Sequence, residues 1–432
     1  MTPAQSFSQL SRRQALLTAL GLGLTIEFLG SRAYAAADAA LARKRLVVIV
    51  CRGGLDGLSL SPPVGDSDYA ALRGPIAIAP FGQPGGALKL DETFGLHPAL
   101  VSTHALALKG EARIAPAIAT PDRERSHFEA QDVLESGAAV VYGTSSGWLN
   151  RALEAMGPAG KVSAISMGPT APLILRGRIE AASWSPGGGG EHDMRLPGIL
   201  QDLYANDPLL GPALASGLTT QAMAKLATAD AAGADAPAMA GSPAAGQADA
   251  GGVVLRPVLR AGLPQARKLG ATLAGFMTQP KGEQVAAVSI DGFDTHANQG
   301  AAQGQLATRL AYVDAFIDGL ATGLGPSWND TVVVLATEFG RTARVNGTGG
   351  TDHGTGSTAL VLGGALKKGG IIGDWPTLAQ SRLFENRDTA PTLDMRGLFK
   401  GVLRDHMGVA RAALDTAVFP GSGRVAPAEG LV

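Results

Sequence analysis

The stretch Val285-Ala-Ala-Val-Ser-Ile-Asp291-Gly-Phe-Asp294-Thr295-His296-Ala-Asn298-Gln299 sets the reading of the chain. An apolar, partly β-branched run from Val285 to Ile290 breaks off into two carboxylates and an imidazole, the order in which a buried strand delivers charged groups to a sheet edge. Asp294 and His296, two residues apart, are good ligands for a borderline divalent metal, and the glycine between the two Asp residues lets the backbone turn sharply. A polar loop after a strand explains the same residues when the motif is taken alone.

A second cluster changes that balance. Thr331-Val-Val-Val-Leu-Ala-Thr337-Glu338-Phe339-Gly340-Arg341-Thr342 repeats the pattern, and Gly350-Thr351-Asp352-His353-Gly354-Thr355-Gly356 leads into another apolar run, Thr358 to Leu362. In an open α/β sheet the carboxyl ends of parallel strands share one rim where ligands bind, so these groups are expected to converge. His353 precedes its run, which predicts a loop folding back over that rim. Between the first two clusters, Gln305 to Leu320 has apolar residues at helical spacing, so 285–336 reads as a parallel βαβ unit.

The chain has 432 residues, enough for one large α/β domain with insertions. A net charge of −1, with no Lys or Arg run in the mature part, gives no sign of nucleic-acid binding. The N-terminus carries Arg12-Arg13 before a short apolar stretch and Ala33-Tyr34-Ala35 as a small-x-small cleavage pattern. Residues 1–35 therefore read as a twin-arginine signal peptide, predicting contact with the Tat translocon and a periplasmic or secreted protein. No other stretch looks transmembrane. Cys51 is the only cysteine, so no internal disulfide is expected, and its place at a strand end suggests a small core hydrophobe.

The mature part opens with the buried-strand signature Leu46 to Val50, followed by Gly53-Gly54-Leu55-Asp56-Gly57, where Asp56 is a candidate ligand and the glycines permit close approach to a bound group. Residues 62–96 read as an extended loop or small hairpin layer, with a helix starting at His97-Pro98. After a strand at Glu111 to Ala119 come Arg123, Arg125, Ser126 and His127 at a helix start. Ser126 is a candidate nucleophile and His127 a candidate ligand, because a helix N-terminus and arginines favour anions. Ser126 as N-cap in a capping box with Glu129 is the plainer reading.

Further helices are expected from Gly147, over Pro257 to Gln279 and over Asp394 to Met407, and a strand over Lys161 to Met167. His192 reads as a solvated loop residue, and His406 as structural or exposed. Residues 219–252 form a low-complexity Ala/Gly/Asp/Pro insertion, with a helix expected within it at Gln221 to Thr228.

The order of Asp after the first strand, Ser at a helix start, Asp-x-His, a strand ending in a carboxylate, then His-Gly-Thr-Gly resembles the alkaline phosphatase and sulfatase superfamily. Within it, Gly53-Gly54-Leu55-Asp56-Gly57, Arg125-Ser126-His127-Phe128, Phe293-Asp294-Thr295-His296, Thr337 to Thr342 and Gly350 to Gly354 are similar to the exported family known as domain of unknown function 1501, over about residues 46 to 410. The resemblance implies a three-layer α/β/α fold with a mostly parallel central sheet in one domain over residues 36–432. It also implies one or two divalent metal ions (Zn, Mn or Fe), with Asp294, His296 and His353 in one site and Asp56 and Glu338, joined by Ser126 or His127, in another. Arg341 or Arg125 would neutralise developing charge, and the partner would be a phosphate- or sulfate-bearing small molecule or glycan. The superfamily usually has Asp-His where this chain has Glu338-Phe339, which removes one imidazole unless His127 replaces it. Two functions stay open: a metal-dependent hydrolase or transferase of phosphate or sulfate esters, and a non-catalytic relative that binds an anionic glycan or an envelope partner.

Overall fold

The computed structural model describes residues 41–157, 163–168, 171–185, 262–280 and 282–432. The proposed signal stretch at 1–35, His192, the helix expected at Gln221 to Thr228 and the tract at 219–252 lie outside the described residues. Contacts divide the chain into Met1–Arg43 and Lys44–Val432, and everything below lies in the second unit.

The apolar runs become strands because β-branched residues pack well on a pleated surface buried on both faces. In chain order the elements that position the site are β1 (Arg45–Arg52), α1 (Val101–Leu108), β2 (Ala112–Ala119), α2 (His127–Ser136), α3 (Trp148–Ala155), β3 (Ala164–Met167), β4 (Ala182–Trp184), α4 (Gly262–Thr278), β5 (Val285–Asp291), α5 (Gln305–Leu324), β6 (Thr331–Ala336), β7 (Ser357–Leu362), β8 (Gly370–Ile371), β9 (Leu393–Asp394) and α6 (Met395–Asp405). They build one mixed sheet in the order β8-β2-β7-β6-β1-β5-β3-β4, with β9 also paired to β2. Every pairing is parallel except those of β7 with β2 and with β6.

Both faces of the sheet are covered. Val47, Ile49 and Cys51 on one face of β1 join a core with Leu269, Leu273 and Phe276 of α4 and Leu310, Val313 and Phe316 of α5. Leu46, Val48 and Val50, which alternation turns to the other face, are just as inaccessible. Another packed group brings Trp148 of α3 onto Phe399 of α6, ring centroids 4.5 Å apart. Cys51 is a free, buried thiol whose pKa burial drives well up, as suits a core residue.

Several expectations change. The strands flanking α5 are parallel, but β1 lies between them, so the βαβ unit crosses over the first strand. His353 reaches the rim because β7 runs against its neighbours, which puts the start of β7 beside the ends of β6 and β1, and no loop has to fold back. Residues 62–96 include a short helix, Tyr69–Arg73, besides the small antiparallel ribbon Leu88–Lys89 with Gly95–Leu96. The helix expected from His97 begins at Val101. The capping box at α2 does not form: Ser126 stands at the N-cap with extended backbone, but its side chain makes no capping bond. His406 is buried, with Nε2 2.8 Å from the Arg45 carbonyl, so it is structural.

Candidate metal centre

Three strand ends and one strand start supply the centre. β5 ends in the turn that carries Asp294 and His296, β6 leads into Glu338 and Arg341, β2 leads through its loop to His127 at the first position of α2, and His353 lies just before β7. His127, Asp294 and His353 place one ligand atom each within 4.8 Å of one another. Asp294 Oδ1 lies 3.2 Å from His353 Nε2 and 3.0 Å from His296 Nε2, and its Oδ2 lies 3.5 Å from His127 Nε2. The Nε2 atoms of His296 and His353 are 3.0 Å apart.

The outer nitrogens explain why the inner ones face one another. His127 Nδ1 is 2.9 Å from Glu338 Oε1, His353 Nδ1 is 2.8 Å from the Arg125 carbonyl, and His296 Nδ1 is 3.3 Å from Asp352 Oδ1. A carbonyl or carboxylate can only accept, so each contact calls for a proton on Nδ1, which leaves Nε2, the nitrogen that faces Asp294, as the one available to a cation. The His127 Nε2 atom is buried and has no hydrogen-bond partner. Tetrahedral ligands about 2.0–2.1 Å from zinc stand about 3.3 Å from one another, close to the separations from Asp294. The donor set of imidazole nitrogens and one carboxylate therefore fits a divalent cation.

Charge follows the same plan. Burial alone would lower the His127 pKa, but the Asp294 and Glu338 carboxylates overcome it and raise the imidazole to about 9. Burial opposes ionisation of Asp294 too, yet the neighbouring His127 and His353 imidazoles and the Arg341 guanidinium hold its carboxyl well below the usual carboxylate range. Glu338, fully buried, is likewise lowered against its burial by the His127 bond and by backbone N–H donors. The proton that His127 holds between two carboxylates occupies the place where a cation would be favoured.

Glu338 is enclosed on all sides. Its Oε1 accepts from the backbone N–H groups of Gly53 (2.8 Å) and Gly54 (3.1 Å), and Oε2 accepts from Thr337 Oγ1 (2.9 Å). The anion cradled by the glycine loop is thus a side chain of the protein itself. Both glycines are needed there: Gly53 has φ +114° and a Cβ would sit 2.5 Å from the Asp294 nitrogen, while Gly54 has φ +65° and a Cβ would strike the Phe339 ring at 2.4 Å.

Asp56 stands apart from this cluster. It caps the one-turn helix Gly57–Leu60, forms a buried ion pair with Arg73, and accepts from Gln299 Nε2 (2.6 Å) and Ser59 Oγ (2.8 Å). The second ligand grouping implied by the resemblance is therefore not the one the side chains make: Asp56 and Glu338 each have their own partners, and His127 joins Asp294 and His353. Arg341 is buried, donating to Asp294 Oδ1 (2.7 Å) and to the Thr351 carbonyl (2.6 Å). Arg125 directs its guanidinium to Asp388 and Glu385. Ser126 is half-buried, and its hydroxyl makes no hydrogen bond to any described residue.

Some partners escaped the sequence reading. Asp352, adjacent to His353 in the sequence, carries the one signal that points to its role beside His296, whereas nothing in a Pro/Gly-rich segment marks Arg73 as the partner of Asp56.

Comparison with solved structures gives 27 matching chains. A phosphonate monoester hydrolase of Agrobacterium radiobacter is 11% identical, with 85% of this chain and 74% of that one covered and a TM-score of 0.36. Ps i-CgsB in complex with k-i-k-neocarrahexaose is 10% identical, with 88% and 76% covered and a TM-score of 0.38. An alkaline phosphatase from the Antarctic bacterium TAB5 is 9% identical, with 76% and 94% covered and a TM-score of 0.33. With scores this low, the chemistry has to be argued from the residues of this chain. No curated protein sequence matches it. The family model described as "Protein of unknown function (DUF1501)" matches residues 43–418, and the chain belongs to that family.

Proposed function

We propose that the protein is a metal-dependent hydrolase or transferase of phosphate or sulfate esters, with a divalent cation held by His127, Asp294 and His353 and with His296 as a fourth donor. The observation that carries this reading is the capping of all three Nδ1 atoms by acceptors, which leaves three Nε2 atoms converging on one carboxylate. Bound there, the cation would act as a Lewis acid toward an ester oxygen. Glu338 and the Arg125 carbonyl hold protons at the outer nitrogens, and Arg341 fixes Asp294. Ser126, one residue before His127 and with its hydroxyl unengaged, or a water, supplies the attacking oxygen. The partner is a phosphate- or sulfate-bearing small molecule or glycan. The export reading belongs to the same proposal: Arg12-Arg13 and Ala33-Tyr34-Ala35 support passage through the twin-arginine pathway to the periplasm or beyond.

One observation favours the second reading, a non-catalytic anion-binding relative: Arg125 and Arg341 are both committed to internal carboxylates, so neither is positioned as a clamp for developing charge. Metal content of protein purified without chelator, beside His353→Ala, followed by a panel of phosphate and sulfate esters with Ser126→Ala, decides between them. Near-stoichiometric metal lost in His353→Ala, with ester turnover, supports the hydrolase. Bound metal with no turnover of any ester supports the binding protein, and no metal in either protein removes the metal reading. Full activity in Ser126→Ala leaves water as the attacking group.

A further inference from the structure

Arg125 has a second connection to the centre, through its backbone. Its carbonyl is the acceptor for His353 Nδ1, and the residue sits at φ +57°, a conformation that a non-glycine residue seldom keeps unless its surroundings fix it. The fixing groups lie in the segment Phe384 to Thr389. Asp388, itself fully buried, takes Arg125 Nε at 3.1 Å and Nη2 at 2.9 Å, and Glu385 takes Nη2 at 2.5 Å. Thr355 Oγ1, two residues beyond His353, donates to the same Asp388 Oδ2 at 3.0 Å. Arg387 Nη2 donates to the His353 carbonyl at 2.6 Å. Four neighbouring residues of one loop thus include three that grip the chain at 125, 353 and 355 together.

We infer that Asp388, acting through Arg125, is a positioning residue for His353. The carboxylate anchors the guanidinium, the anchored side chain holds residue 125 in its left-handed conformation, and the carbonyl so placed keeps the His353 proton on Nδ1. Without that acceptor the ring loses the bond that fixes its plane and keeps Nε2 directed at Asp294. Arg125 accordingly acts by position and not as an anion clamp. This inference rests on the metal reading for its consequence, but the bond from His353 Nδ1 to the Arg125 carbonyl is a property of the metal-free protein.

The experiment compares the wild-type protein with Asp388→Asn and Arg125→Lys. In the metal-free proteins, ¹⁵N spectra of the histidine side chains report whether His353 Nδ1 carries a hydrogen-bonded proton. In the zinc-titrated proteins, competition with a chromophoric chelator reports affinity. The expected result is a hydrogen-bonded Nδ1–H on His353 in the wild type, its loss in Asp388→Asn, and about 10–100-fold weaker zinc binding in that variant, the range typical of lost outer contacts. Arg125→Lys, which keeps the charge but cannot bridge Asp388 and Glu385 with a planar fork, is expected to shift in the same direction and covers the case in which Asp388→Asn does not fold. An Nδ1–H signal unchanged from the wild type, with zinc affinity within twofold, in the folded variants would overturn the inference. If the wild type takes up no zinc, the metal reading fails, and the ¹⁵N spectra still decide whether Asp388 positions His353.

Discussion

Glu338 and His127 form a closed pair: Oε1 lies 2.9 Å from Nδ1, and the carboxylate, wholly buried, is surrounded by donors from Gly53, Gly54, Thr337 and the imidazole. Glu338 thereby orients the His127 imidazole through its outer nitrogen. Because one carboxylate accepts from all of them at once, removing its charge weakens every bond together.

Glu338→Gln is expected to lower zinc affinity about 10–100-fold and stability by roughly 2 kcal/mol. Zinc competition and urea unfolding read the two effects. Unchanged affinity would mean that His127 does not depend on Glu338 for its orientation.

Asp56→Asn should behave in the opposite way. It leaves Arg73, a fully buried cation, without its ion-pair partner, so stability should fall by about 3–5 kcal/mol. Zinc stoichiometry in the folded fraction should stay at the wild-type value, because Asp56 is bonded to Arg73, Gln299 and Ser59 and lies outside the ligand cluster. Loss of one metal equivalent would restore Asp56 as a ligand.

Gly53→Ala combines two penalties, a side chain at φ +114° and a Cβ 2.5 Å from the Asp294 nitrogen. The cost is expected to be at least about 2 kcal/mol, with zinc binding weakened because Asp294 must move. A variant as stable as the wild type would show that the loop relaxes without strain.

His406 gives the protein an acid-sensitive point remote from the centre. Burial first, and Lys44 as well, lower its pKa to about 4, against the opposing pull of the Arg45 carbonyl and Asp330. The unfolded chain binds this proton near pH 6.5 and the folded one only near 4, so the stabilisation is complete above 6.5 and is lost as pH falls through that window. The full loss is on the order of 3 kcal/mol. Unfolding of the wild type and of His406→Gln, followed from pH 7 to 4, should diverge in slope across this range. Parallel curves would show that His406 is not the responsible group.

The sequence by itself determined the strands and most of the charged residues gathered at the rim. Val285 to Ile290 and Thr331 to Ala336 could be read because a strand buried on both faces must be continuously apolar, and Asp294, His296 and His353 because charged residues at the ends of such runs have to meet solvent or a partner. Tertiary structure decided what those charges are for. Whether Asp56 faces a metal or Arg73, and whether Glu338 is a ligand or the support of one, depends on Arg73, Gly53 and Gln299, whose separation along the chain leaves no periodic trace. The reversed direction of β7, which brings His353 to the shared rim, was equally hidden, since an apolar run fits a sheet in either direction and only its neighbours' hydrogen bonds choose between them.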